Sequence, residues 1–196
     1  MSAIVGYPAR LDLEGPLEIE NWRPLVHWLL AIPHFFVAWA LKIVRQVLQF
    51  IALFTVLFTK KIPRELFDSI VMTLRYGWRV DTYALWMRES YPRFDLTPGT
   101  EDPGNDPASL SVDYPEELNR WLPLVKWLLA IPHYFVLMFL YLGAVFVALG
   151  AFFAVLFTGK YPEGMRTYLI GVNRWNLRVV AYAGLLRDEY PPFSLE

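Results

Sequence analysis

Residues 11–96 and 110–195 are two versions of one sequence. They align at a constant offset of 99 without a gap, and about 35 of the 86 pairs are identical. A tandem duplication restricts the fold to two copies of one architecture. The identities come in runs: Trp22-Arg23-Pro24-Leu25-Val26 matches Trp121-Leu122-Pro123-Leu124-Val125, and Trp28 to His34 matches Trp127 to His133 without a change. Val56 to Thr59 matches Val155 to Thr158, and the units close on Tyr91-Pro92 and Phe94 against Tyr190-Pro191 and Phe193. The domain reading is therefore a first unit at 1–96, a linker at 97–109 and a second unit at 110–196. The linker, acidic and dense in Pro, Gly and Asn, is expected to be flexible.

Each unit has three parts. A short alternating segment, Ala9 to Leu13 or Ser109 to Asp113, predicts a brief strand ending at Pro16 or Pro115. An apolar run follows, Leu25 to Phe58 or Leu124 to Phe157, which as one helix would be about 51 Å long, too long to cross a hydrocarbon layer of roughly 30 Å without strong tilt. The third part, Pro63 to Tyr91 or Pro162 to Tyr190, mixes Arg with Trp, Tyr and Leu. It predicts an amphipathic helix at a membrane surface.

Two topologies fit the apolar run. In one, it is a membrane hairpin of two helices of about 20 residues, and everything outside it shares one side. In the other, Pro33 and Pro132 open a single long helix after a short interfacial one. With hairpins, the Lys and Arg of 59–123 and of both ends collect on one side and only Lys42 and Arg45 lie near the other, the asymmetry of the positive-inside rule. The charge pattern favours the hairpin. Against it, no Gly or Pro turns the chain in the middle of the first run, and Lys42, Arg45, Gln46 and Gln49 keep the spacing of one continuous helical face.

The composition agrees with a membrane address: 56% hydrophobic and 17% aromatic residues against 19% charged. A net charge of −1 excludes the basic field of a nucleic-acid binder, and the lack of cysteine excludes disulfides, Cys-ligated metals and thiol catalysis. The mixed first 19 residues predict no cleaved signal peptide. The fold expected is an all-α membrane protein of two helical units, hairpin or long kinked helix plus amphipathic helix, with short extended segments at the unit ends.

The pattern Tyr114-Pro115, Trp121 to His133, Leu156 to Pro162, Arg174 to Tyr182 and Asp188 to Phe193 resembles the bacterial membrane family called domain of unknown function 4389, here in two copies. The first copy departs from it at His27, Lys60, Tyr76-Gly77 and Glu89-Ser90. The resemblance implies a bacterial membrane address, and the hairpin reading with its charge asymmetry adds the expectation of a multi-pass inner-membrane protein with cytoplasmic termini. The resemblance implies no assigned activity and no catalytic residues.

Three constellations carry chemistry. Arg75 and Arg79, matched by Arg174 and Arg178, set two guanidiniums one helical turn apart, suited to clamping a lipid phosphate or pairing with acids such as Asp81, Asp188 or Glu189. The polar stripe Lys42, Arg45, Gln46 and Gln49, present in the first unit alone, suits a polar cavity, an anionic headgroup or a hairpin turn. His34 and His133 occupy equivalent places after Ile-Pro, the arrangement needed for bis-His coordination of haem b if an internal two-fold brings them together, with His27 as a substitute ligand; otherwise each satisfies a carbonyl freed by the adjacent proline. Gly143 and Gly150 predict close helix contact. No nucleophile elbow, phosphate loop or His-Glu-x-x-His motif occurs. The functional expectation is a non-enzymatic accessory or scaffold subunit that contacts lipids and a membrane partner or a second copy, without cofactor. The alternatives are a haem-bearing electron carrier and a small transporter or channel component.

Overall fold

In the computed structural model, which describes residues 6–196, both repeats fold in the same order. The first gives β1 (Ala9–Leu13), α1 (Arg23–Leu30), α2 (Ile32–Thr59) and α3 (Arg64–Ala84). The second gives β2 (Ala108–Val112), α4 (Pro123–Leu129), α5 (Ile131–Thr158) and α6 (Glu163–Ala183). Both strands fall where alternation predicts them.

The hairpin expectation is corrected. α2 and α5 are unbroken helices of 28 residues, each about 42 Å long. The chain bends before them, at Ala31 and Ala130, because Pro33 and Pro132 sit in the first turn and cannot donate the bonds that would continue α1 or α4. Nothing inside either run breaks the ladder. It ends at Lys60 (φ 60°) and Gly159 (φ 66°), both left-handed, followed by an extended proline at the N-cap of the next helix. Among the described residues, two helices are thus long and apolar enough to cross a membrane.

A pseudo-two-fold relates the repeats. β1 and β2 pair antiparallel with Ala9 opposite Val112 and Leu11 opposite Leu110, a register that maps onto itself when the repeats are exchanged. β1 lies on α6 of the second unit and β2 on α3 of the first, so the units exchange strands. The exchange continues in the connections: Ile19 N–H donates to Gly159 O (2.9 Å), Leu118 N–H to Lys60 O (2.8 Å), and Asn21 Nδ2 to Leu156 O (3.0 Å). The start of α1 therefore lies beside the end of α5, and the start of α4 beside the end of α2. The eight residues of α1 span only about 12 Å. The first residue of α2 must then lie near the last of α5, so the two 42 Å helices run in opposite directions.

The molecule has three layers. Every exposed large apolar side chain among the described residues falls in 22–58, 91–96, 121–157 or 190–193. α1, α2, α4 and α5 thus form an apolar outer layer. α3 and α6 form the middle layer: Phe67, Ile70 and Val71, with Leu169 and Ile170, are buried in a core shared with Ala52, Val56, Ala151 and Val155 of the long helices. As expected, the glycines of α5 admit close contact, with Tyr168 of α6 lying over Gly143 and donating to Leu140 O (3.0 Å). The third layer is the two-stranded sheet with the linker. The expectation that the amphipathic helices lie at the surface is corrected, since α3 and α6 are covered on both faces. The linker is likewise tied down, by arginines of α3 and the segment after it.

Candidate functional site

Because α2 packs on α3 and α5 on α6, rather than the long helices on each other, a cleft of about 350 Å³ remains near the pseudo-two-fold. Leu11 and Leu110 form its roof under the sheet. Ala38, Lys42 and Arg45 of α2 line one wall, with Gly77, Trp78 and Asp81 of α3 and Asn173, Asn176 and Val180 of α6 around them. The 3.6-residue period puts Lys42 and Arg45 on the inner face of α2 while Trp39, Ile43 and Val47 stay exposed on the apolar side. Trp78 is fixed by its indole N–H to Asp12 O (3.0 Å).

The charges in this cleft are unpaired. Among the described residues, neither Lys42 nor Arg45 has a carboxylate within ion-pair distance, and Asp81 is beyond that distance from both. Asp81 is open to the space of the cleft yet crowded by protein beyond it, and this desolvation pushes its carboxyl up to about 6. Of the rest of the stripe, Gln49 packs its amide against Gly184 at the end of α6, and Gln46 is exposed without lining the cleft. Sequence reasoning missed Asn173 and Asn176 and gave Asp81 a different role. The signal was the difference between the repeats: Lys42 faces Tyr141 across the duplication, Arg45 faces Ala144, Gly77 faces Asn176, and Asp81 faces Val180.

The paired arginines are elsewhere, and their reading as headgroup clamps is corrected. Arg75 is buried and donates to Leu110 O, Gly99 O and Glu101 O, pairing with Asp102 at 3.3 Å. Arg79, 1% exposed, pairs with Asp95 and Asp102, both at 3.2 Å. Arg174 donates to Leu11 O and Arg178 to Ser194 O (3.3 Å). These guanidiniums hold the sheet, the linker and the C-terminal tail on α3 and α6. Their partners are Asp12, Asp95, Asp102 and backbone carbonyls rather than Asp81, Asp188 or Glu189, since the strand exchange and the linker bring those segments over the middle layer.

The histidines are separate and enclosed. His34 stacks on Phe94 (4.1 Å) with Nδ1 at 2.7 Å from the Tyr76 hydroxyl; His133 stacks on Phe193 (4.0 Å) and accepts from the Trp175 indole (3.1 Å). Each lies at the start of its long helix, and those helices run in opposite directions, so the two-fold holds the imidazoles apart and they share no axis for a haem iron. His27 donates Nδ1–H to Tyr83 O (3.1 Å) inside the first unit. The closing segments are extended caps as expected: Tyr91 donates to Leu30 O and Tyr190 to Leu129 O, both at 3.2 Å.

No curated protein and no solved structure matches the chain. A family model, described as Domain of unknown function (DUF4389), matches twice, over residues 21–95 and 121–194. Each match covers one short helix, one long apolar helix, its amphipathic partner and the closing aromatic cap, and the strands and linker lie outside. The chain therefore belongs to the DUF4389 family and carries its domain as two tandem copies.

Proposed function

We propose that the protein is a monotopic membrane protein, seated flat in one leaflet on α1, α2, α4 and α5, with the sheet and linker facing the aqueous side, and that it acts as an accessory or scaffold platform. The observation that carries this reading is the layering. α3 follows α2 back along its length, from its end to His34 and His27, and bears the charged third layer on its other face. A bilayer-crossing α2 would draw Asp12, Arg10, Asp113 and the acidic linker to membrane depth, which is prohibitive for solvated charges. Lying flat, the same helices bury their apolar faces in the acyl region, and the charges stay in water. The exposed tryptophans suit this surface: Trp28 and Trp127 donate their indole N–H to Leu25 O and Leu124 O, each at 2.8 Å, and so present apolar plates. The setting that goes with this reading is the bacterial inner membrane, with the polar layer cytoplasmic.

Topology tests the reading. Reporters fused after Lys61, near Gly104 and at Glu196 are expected to read cytoplasmic together. Single cysteines at Phe36, Phe54 and Phe153 are expected to resist a membrane-impermeant maleimide applied from the opposite side. Opposite signals from the linker and the C-terminus would replace the flat arrangement with two crossings. Isolation as a lone monomer across several mild detergents would remove the scaffold role and leave the membrane seat.

A further inference from the structure

We propose that the cleft on the pseudo-two-fold holds the headgroup of an amine-bearing phospholipid, with its phosphate on Lys42 and Arg45 and its ammonium on Asp81. The proposal rests on the leaflet-seated reading, because the lipid enters from the apolar layer. Lys42, which lines the cleft, is exposed and stands on α2 between the exposed Trp39 and Ile43 of the apolar layer. A headgroup entering there keeps its acyl chains against the same apolar surface.

The interior is built for a charged group. Arg45 is half-buried, its guanidinium without an anionic partner among the described residues, and Asp81 stands beyond ion-pair distance of both cations. Lys42 and Asp81 are exposed to the cleft beside the half-buried Arg45, so all three are free to meet a charged group that enters it. Two cations and one carboxylate match a group carrying both a phosphate and an ammonium, and the planar fork of Arg45 suits two phosphate oxygens. Among the described residues the Asn176 side chain has no hydrogen-bond partner, and Asn173 spends its amide on Leu169 O, which leaves its carbonyl oxygen to accept. Across from them Gly77 keeps the space open, since a Cβ there would meet nothing within 4 Å.

The test uses the full chain in detergent with phosphatidylethanolamine and phosphatidylglycerol as probes, read by native mass spectrometry. Wild type is expected to retain one phosphatidylethanolamine in preference to phosphatidylglycerol, undisplaced by millimolar inorganic phosphate. Arg45→Gln is expected to weaken retention of both on the order of tenfold or more. Asp81→Asn is expected to abolish the preference while phosphatidylglycerol stays bound. A second measurement needs no variant: a carbodiimide activates the Asp81 carboxyl, the lipid amine displaces it to form an amide, and the reagent leaves as its urea. The adduct is expected on the Asp81 peptide with phosphatidylethanolamine and absent with phosphatidylcholine, which has no primary amine. Equal retention by wild type and Arg45→Gln, a preference for phosphatidylglycerol, or no Asp81 adduct overturns the site. Liposome flotation separates the two readings: a protein that floats but retains no lipid loses the site alone, and one that fails to float loses the leaflet seat.

Discussion

At the scale of single residues, one position shows how the copies diverged. Lys126 is buried, donates to Arg187 O (2.6 Å) and pairs with Asp188 (2.8 Å). Its counterpart, His27, is buried as deeply but uses Nδ1–H on Tyr83 O, so Nε2 is left unprotonated and without a partner. Burial lowers its affinity for a proton below the ordinary 6.5. The folded-state pKa is the lower one, so below about 6.5 the unfolded chain takes up a proton that the folded chain refuses, and stability is lost as pH falls. Thermal unfolding is expected to move to lower temperature between pH 7.5 and 5.5, and His27→Gln, which keeps a donor for Tyr83 O but cannot titrate, is expected to reduce that dependence, the remainder coming from His34 and His133, whose proton affinity burial also lowers. A slope that Gln leaves unchanged would remove His27 as its source.

At the scale of elements, buried ion pairs fasten the linker to α3. Asp102 pairs with both Arg75 and Arg79 and accepts from Leu110 N–H (3.1 Å), and Arg88 pairs with Asp106 where both are buried. Asp102→Ala removes the one carboxylate of the enclosed Arg75 and leaves Arg79 with Asp95 alone, and it is expected to cost about 3–5 kcal/mol. Asp113→Ala, which breaks the exposed pair with Arg10, is expected to cost under about 1 kcal/mol. Melting temperatures of the two variants check the contrast, and similar losses would mean that the linker contributes little to holding α3.

At the scale of the whole molecule, strand exchange makes each repeat incomplete alone. A two-stranded sheet is marginal by itself, and this one is held by Arg75 on Leu110 O and Arg174 on Leu11 O from beneath. A chain of residues 97–196 retains β2 and α6 but lacks β1. Since the register is symmetric about Leu11 and Leu110, a second copy of β2 can take the place of β1, with Leu110 opposite Leu110. Residues 97–196 are expected to form a two-fold dimer in detergent, measured by light scattering with the micelle subtracted. A folded monomer would show that the exchange is dispensable.

The duplication, the strand segments, the apolar runs and the closing aromatic caps were legible in the sequence because local rules write them: offset identity, alternation and proline's missing donor. The bend before Pro33 and Pro132 was legible as well, but lateral charge counting argued against it. That count sorts charges across a bilayer, whereas the layers separate the charged sheet and linker from the apolar helices α1, α2, α4 and α5. Tertiary structure alone decided that Arg75 and Arg79 turn inward to Asp95 and Asp102, since nothing local announces that the linker returns over α3. It alone brought Lys42, Arg45 and Asp81 from two helices to Asn173 and Asn176 of the other repeat. A sequence states the period of each helix, but the direction in which two copies meet is set by which surfaces their exchanged strands can bury.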